Sequence, residues 1–279
     1  MFFPIQDTIV ERTSKRSYDS TDLSEETIDI IKTLLHSTTH GPLGKKSAFR
    51  LIQKSSPENK KIKLGTYGFI KGAQNYIVGY TSPVKEAFLD YGFLLEKIIL
   101  DMTRLQLGTC WLGGTFDRGE FSKSIHLPEG FVIPAVTPVG HASPNRSLGD
   151  RVIRLSAGSK KRKPFESLFF HNKPGNPLTA NTVGDKVIQI LEMIRLAPSA
   201  SNLQPWRIIY KNERFCFYLQ RKPGYQRAFS KVDLQMVDMG ISMCHFNLTA
   251  NEIGMEVSWS IEKGADVIDD WEYIISANI

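Results

Sequence analysis

The sequence predicts an α+β fold in which two similar halves are joined in one chain. A helical run of apolar residues, a loop and a strand-like run follow one another at 28–52 and again at 183–210. A long apolar helix follows each of these units and begins at an Asp-x-Gly sequence, and Asp90 and Asp238 both stand 21 positions before a tryptophan. Equal spacing of unlike residues is typical of an internal duplication.

The composition is that of an ordinary globular protein. The chain has 279 residues, of which 41% are apolar and 23% charged, enough for one large core or two modest ones. No apolar run has the length of a membrane span and the N-terminus lacks a signal-peptide pattern, so we expect a soluble, cytoplasmic protein. The three cysteines lie far apart, which argues against disulfides and against a zinc site.

The first cationic stretch of the chain runs from Arg12 to Tyr18. In an extended segment, positions 12, 14, 16 and 18 face the same way and present Arg, Ser, Arg and Tyr together. Such a row can hold a phosphate and the polar edge of a ring; the alternative is a solvated basic stretch. The net charge of +6 is otherwise dispersed and accompanies no nucleic-acid-binding motif.

The remaining elements of the first half follow in order. Ser24 is placed to cap a helix, 75–80 has the pattern of a buried strand, and 90–107 that of a long helix. A Gly-Gly pair at 113–114, most simply a turn, precedes a strand at 133–140. The apolar stripe of the capped helix is formed by Ile28, Ile31, Leu34 and Leu35.

The most basic run of the chain, 158–166, lies between the two halves. Its charge alone is equally consistent with a linker and with a binding segment. We place the boundary just after it, so that the first half is 1–170 and the second is 171–279.

A polar loop at 198–206 joins a helix to a strand. Pro198 ends the helix, and Pro205 keeps the exit extended because the residue before a proline avoids the α region. Between them lie two serines, an asparagine and a glutamine, closed by Trp206. This loop suits a flat heteroaromatic ligand, although its composition is also that of an ordinary surface loop.

The residue order of this loop, Pro-Ser-Ala-x-Asn-x-Gln-Pro-Trp, resembles the flavin-ring loop of the nitroreductase superfamily, the FMN-dependent NAD(P)H oxidoreductases. The duplication resembles the single-chain branch of that superfamily, the TM nitroreductase group. The resemblance implies two fused nitroreductase-like halves that form an intrachain pseudo-dimer. Each half would be a mixed or antiparallel sheet packed with helices.

The resemblance also implies an FMN site. The N-terminal stretch would bind the phosphate and ribityl chain, with Arg16 at the pyrimidine edge, and the Gly-Gly segment would approach flavin N5 and O4. A basic pair in 158–166 would close on the phosphate, with a register uncertain by one residue. The implied cofactor-binding residues are Arg12, Thr13, Ser14, Arg16, Leu112, Gly113, Gly114, Lys160, Arg162, Pro198, Ser199, Ala200, Ser201, Asn202 and Gln204. No catalytic residue or metal ligand is expected, since the cofactor carries the reaction.

One competent site per chain follows from the distribution of these residues. The phosphate-binding set lies only in the first half and the intact ring loop only in the second. The segment 41–52 resembles a decayed copy of the ring loop, and 172–178 offers a single lysine. The opposite pairing is therefore expected to be vestigial.

The implied function is reduction of a conjugated acceptor, such as a nitroaromatic or a quinone, by NAD(P)H in a ping-pong cycle. The alternative is a non-catalytic FMN-binding or regulatory protein, and a nucleic-acid-binding protein ranks below both. The expected partners are NAD(P)H and a small-molecule acceptor, without nucleic acid or membrane. The expected state is a monomeric pseudo-dimer that can associate further.

Overall fold

The computed structural model describes residues 4–56, 64–144, 161–224 and 232–279. Helices in these ranges are α1 (Ile5–Glu11), α2 (Glu25–Ser37), α3 (Lys85–Arg104), α4 (Arg118–Ile125), α5 (Ala180–Val183), α6 (Asp185–Arg195) and α7 (Leu234–Glu252). Strands are β1 (Ser47–Gln53), β2 (Asn75–Thr81), β3 (Gly108–Thr109), β4 (Val136–Gly140), β5 (Phe169–His171), β6 (Trp206–Lys211), β7 (Arg214–Gln220), β8 (Ser258–Ser260) and β9 (Trp271–Asn278).

The two sheets share one topology, as the internal duplication predicts. The first sheet has the order β1-β2-β4-β3 and is antiparallel throughout. The second has the order β5-β6-β7-β9-β8, in which β6, β7, β9 and β8 repeat the order of the first sheet. Strand β5 is added at the edge and pairs in parallel with β6. The predicted α+β fold of two fused halves, with mixed or antiparallel sheets, is confirmed.

The long helices α3 and α7 pack against each other between the sheets. At their crossing a Cβ on Gly92 would collide with the carbonyl oxygen of Val237, and a Cβ on Gly240 with that of Leu89. The contact is reciprocal, as at an interface between two identical subunits related by a twofold axis. One hydrophobic core is continuous across both helices and includes residues from both sheets.

Both long helices begin earlier than the sequence pattern predicts. The predicted starts were Asp90 and Asp238, whereas α3 begins at Lys85 and α7 at Leu234. Each aspartate therefore lies in the second turn of its helix. Asp233 caps α7 by accepting hydrogen bonds from the amides of residues 235 and 236.

The sequence predicts the capped start of α2 but not the existence of helix α1. The Ser24 cap of α2 is confirmed, because its hydroxyl accepts a bond from the Thr27 amide at 3.2 Å. Helix α1 was not predicted, although it carries Ile5 and Ile9 into the core. Among the described residues no helix combines the length and apolar character needed to cross a membrane.

The boundary between the halves at residue 170 stays a prediction. Strand β5 spans that position and belongs to the second sheet.

Candidate functional site

A cavity of about 860 Å³ opens between the two halves, lined by residues of both. The first half supplies the end of α1, the extended segment after it and the segment that follows β3. The second half supplies the loop after α6 and one face of α7. The predicted residues in the lining are Arg12, Thr13, Ser14, Arg16, Leu112, Gly113, Gly114, Arg162, Pro198, Ser199, Ala200, Ser201 and Asn202.

Among the described residues one predicted site residue, Gln204, does not line the cavity. Lys160 falls outside the described residues. Gln204 is only 2% exposed, and its side-chain oxygen accepts a bond from the Lys163 amide at 2.9 Å. The side-chain amide of Gln204 therefore binds the protein backbone rather than a ligand, and its donor and acceptor groups allow either.

Guanidinium groups are concentrated at one end of the cavity. Burial, together with the nearby charges of Arg12 and Arg195, lowers the pKa of Arg162 to about 10. Arg12 is 8% exposed, and its Nε has no hydrogen-bond partner in the described part of the chain. Like charges held together out of water favour a bound anion, because an anion relieves both the repulsion and the missing hydrogen bonds.

The fully buried Glu96 lies beside Arg12 in this cluster. Its carboxylate lies 3.8 Å from Arg12 Nε and accepts a bond from the Trp111 indole at 2.6 Å. His245 Nε2 lies 3.0 Å from the same carboxylate, while its Nδ1 lies 2.8 Å from the Met193 carbonyl oxygen. The His245 ring therefore bridges the Glu96 carboxylate on α3 and the Met193 carbonyl oxygen at the end of α6.

The sequence analysis missed this network. Glu96 and His245 lie on α3 and α7, and nothing in the local sequence indicates that they face each other. A charged residue at a buried position of an apolar helix was the available signal, since such a charge is rarely unpaired.

The loop that follows α6 is fixed by a strap formed by residues 161–163. Arg162 donates to the Asn202 side-chain oxygen at 2.5 Å and to the Leu196 carbonyl at 2.8 Å. The Asn202 amide in turn donates to the Lys161 carbonyl at 2.8 Å. Ser201, Asn202 and Gln204 all have positive φ, a backbone that these cross-bonds hold in place.

Asp238 supports the same loop from α7. One of its carboxyl oxygens accepts a bond from the Ala200 amide at 2.9 Å, and the other has no partner among the described residues. Its equivalent, Asp90, uses both oxygens, which accept bonds from the Leu43 and Lys45 amides at 3.0 and 2.7 Å. Both loops are thus held by an equivalent aspartate, through one hydrogen bond at Asp238 and through two at Asp90.

Replacing Asp238 with asparagine is expected to flatten the pH dependence of stability. Burial raises the pKa of this carboxyl well above its ordinary value. The folded wild type therefore binds a proton that the unfolded chain releases above about pH 4, and stability falls as pH rises from there through the folded pKa. Free energies of unfolding in urea between about pH 4 and pH 8 test this.

Asp90→Asn is the matched comparison. This substitution removes an oxygen that accepts a backbone bond, so we expect it to lower stability at every pH. A D238N profile that runs parallel to the wild-type profile would contradict the assignment of the slope to Asp238.

Most of the remaining lining is apolar and was not predicted. Leu234, Val237 and Ile241 face the cavity from α7 at helical spacing, and Ile9, Val10 and Phe69 face it from the first half. The spacing i, i+3, i+7 on α7 was visible in the sequence as a buried stripe. What it did not reveal is that the stripe faces a cavity.

No group of three or more His, Cys, Asp or Glu side chains that could hold a metal ion occurs in the described ranges. The described lining offers cations, hydroxyl and amide side chains, the carboxyl group of Asp238, backbone amides and apolar walls.

Comparison with known proteins identifies relatives. A nitroreductase structure from Thermotoga maritima matches over 99% of this chain and 94% of its own, at 23% identity and a TM-score of 0.63. A nitroreductase with bound FMN from Desulfitobacterium hafniense matches over 52% of this chain and 93% of its own, at 20% identity and a TM-score of 0.42. A "Putative NADH dehydrogenase/NAD(P)H nitroreductase" from Bacteroides thetaiotaomicron matches over 53% and 91%, at 20% identity and a TM-score of 0.41.

No curated protein matches the sequence. The model of the family described as "Putative TM nitroreductase" matches residues 4–250, most of the chain. The shared full-length fold agrees with the motif at 198–206 and with the duplicated topology. The chain belongs to this nitroreductase family.

Proposed function

We propose that the cavity binds FMN and that the protein is an oxidoreductase, which uses NAD(P)H to reduce a conjugated acceptor such as a nitroaromatic or a quinone. Family membership supports the oxidoreductase class. The observation that carries the proposal is the composition of the cavity. The arginines of the lining suit a phosphate, and its apolar walls and backbone amides suit a ring.

The phosphate would be held by Arg12 and Arg162, with the hydroxyl of Ser14. Arg12 Nε lacks a hydrogen-bond partner among the described residues. Both guanidinium groups can form charge-assisted hydrogen bonds that contribute about 1.5–3 kcal/mol each. Arg16 would lie at the pyrimidine edge, where a cation stabilises negative charge that develops on the ring. When bound, FMN supplies hydride acceptance and donation; the residues of the chain bind it, orient it and limit access of water.

One site per chain is part of the proposal. The cavity takes its cations from the first half and its ring loop from the second, so the halves 1–170 and 171–279 would act together as subunits of a dimer do. No second copy of the chain is needed to complete the lining. We therefore propose that a monomer is competent.

Flavin content and turnover test these statements. We expect the purified protein to carry one FMN per chain, measured from the visible flavin absorbance after denaturation, and to oxidise NADH or NADPH with a quinone or nitrofuran. Two FMN per chain would contradict the vestigial second site. Bound FMN with no turnover above that of free FMN would indicate a flavin-binding protein instead.

A further inference from the structure

The carbonyl oxygen of Gly113 accepts a hydrogen bond from a residue outside the cavity lining. Both glycines line the cavity, whereas Arg118, which donates from Nη2 to the Gly113 carbonyl at 2.5 Å, does not. No described peptide bond is cis. In a trans peptide the N–H points opposite to the C=O, so the Gly114 N–H points to the cavity side.

This N–H is a donor without an acceptor. Gly114 forms no backbone hydrogen bond with any described residue, whereas its neighbour Leu112 exchanges two with Val136. A backbone donor that faces a cavity requires an acceptor, either water or a ligand. Under the proposed function, the acceptor is a nitrogen or oxygen atom of the flavin ring.

Arg118 is itself held in one position. Its Nε donates to the Ile133 carbonyl at 3.3 Å, and its Nη2 also donates to the Pro134 carbonyl at 3.2 Å. Its guanidinium lies 4.7 Å from the centroid of the Phe116 ring. The planar fork therefore joins the Gly113 peptide to the segment that precedes β4, in a geometry that a flexible lysine reproduces only in part.

We propose that Arg118 is a positioning residue: by holding the Gly113 carbonyl it aims the Gly114 N–H at an acceptor atom of the flavin ring. The proposal rests on the proposed function and deepens it. A fixed donor at the ring stabilises the electron-rich reduced flavin and needs no reorganisation during hydride transfer. Arg118 lies outside the cavity lining, so its effect passes through the peptide.

Arg118→Met and Arg118→Lys test the proposal, with Arg50→Met as the matched control. Arg50 also donates to a backbone carbonyl, that of Ile125 at 3.2 Å, but lies outside the cavity lining. Crystal structures of the variants report the orientation of the Gly113–Gly114 peptide without depending on FMN. Stopped-flow reduction by NADH and the flavin midpoint potential report its consequence.

In R118M we expect a reoriented peptide, a lower midpoint potential and flavin reduction about tenfold slower, because one backbone hydrogen bond to the ring is lost. We expect FMN affinity to change little. R118K should recover part of the rate, and R50M should match the wild type. An unchanged peptide, or an unchanged rate and potential in R118M, overturns the proposal. If the wild type binds no FMN, the proposed function fails, and the crystal structures alone decide whether Arg118 orients the peptide.

Discussion

Gly240→Ala is expected to destabilise the protein strongly. A Cβ at this position would lie well under 3.0 Å from the carbonyl oxygen of Leu89 and also close to the Phe93 amide. Both neighbours are helix backbone, which cannot move aside as a side chain can. We expect a loss of at least about 3 kcal/mol, a large part of the roughly 5–15 kcal/mol that stabilises a typical domain.

Gly92→Ala should have the same effect, because its Cβ would collide with the Val237 carbonyl across the same crossing. The control is Gly119→Ala in α4, where the nearest atom to a Cβ is an Asp117 side-chain oxygen at 3.3 Å. The helix propensity gained by replacing a glycine and the close contact with the Asp117 oxygen oppose each other, so we expect a change of less than about 1 kcal/mol there. Soluble yield and urea unfolding midpoints measure all three.

An unfolding midpoint for G240A equal to that of the wild type would mean that α3 and α7 can separate without loss of the core. The reciprocal contact argues otherwise. Gly92 meets the residue before Asp238, and Gly240 meets the residue before Asp90, so the two Asp-x-Gly sequences interlock. The motif repeated in the sequence is thus the point at which the two halves cross.

This interlock explains why the sequence predicted the duplication well. The Asp-x-Gly sequences and the tryptophans 21 positions beyond them are local patterns, and their repetition can be read without knowing which residues touch. The same holds for the loop at 198–206, whose residue order alone indicated the family. Features that are encoded by the residue order within one segment, such as the repeat and this loop, could therefore be predicted.

Partners that meet only through tertiary packing were not predictable. Arg118 and Gly113 lie in neighbouring segments but meet only because α4 folds back toward the strand that follows it. Glu96 and His245 meet only because α3 and α7 cross. Helical periodicity identifies which face of each helix is buried, but it does not identify which residue of the other helix lies opposite.

The predicted roles of Asn202 and Gln204 show a subtler limit. Their amides suited either a flavin edge or the local backbone, and the residue types alone could not decide. The strap of residues 161–163 engages both side chains. The strap and the ring loop are therefore one unit, so the cationic strap would be in place before any phosphate arrives.

Arg12→Met is expected to weaken FMN binding about 10- to 100-fold while changing riboflavin binding little. Riboflavin lacks the phosphate, so the ratio of the two dissociation constants isolates the interaction of Arg12 with that group. The magnitude corresponds to the loss of one charge-assisted hydrogen bond, about 1.5–3 kcal/mol. Fluorescence titration of the apoprotein with each flavin measures both constants, and added salt should narrow the difference between them.

Two further variants keep this result interpretable. Arg195→Met removes another guanidinium near Arg162, but Arg195 is paired with Glu192 and lies outside the cavity lining, so FMN affinity should stay close to that of the wild type. Because Arg12→Met leaves the buried Glu96 without its cation, the R12M/E96Q double variant removes the uncompensated charge. Both R12M and the double variant should discriminate less between FMN and riboflavin. An equal loss of affinity for both flavins would instead place Arg12 in the support of the fold, with the phosphate bound elsewhere.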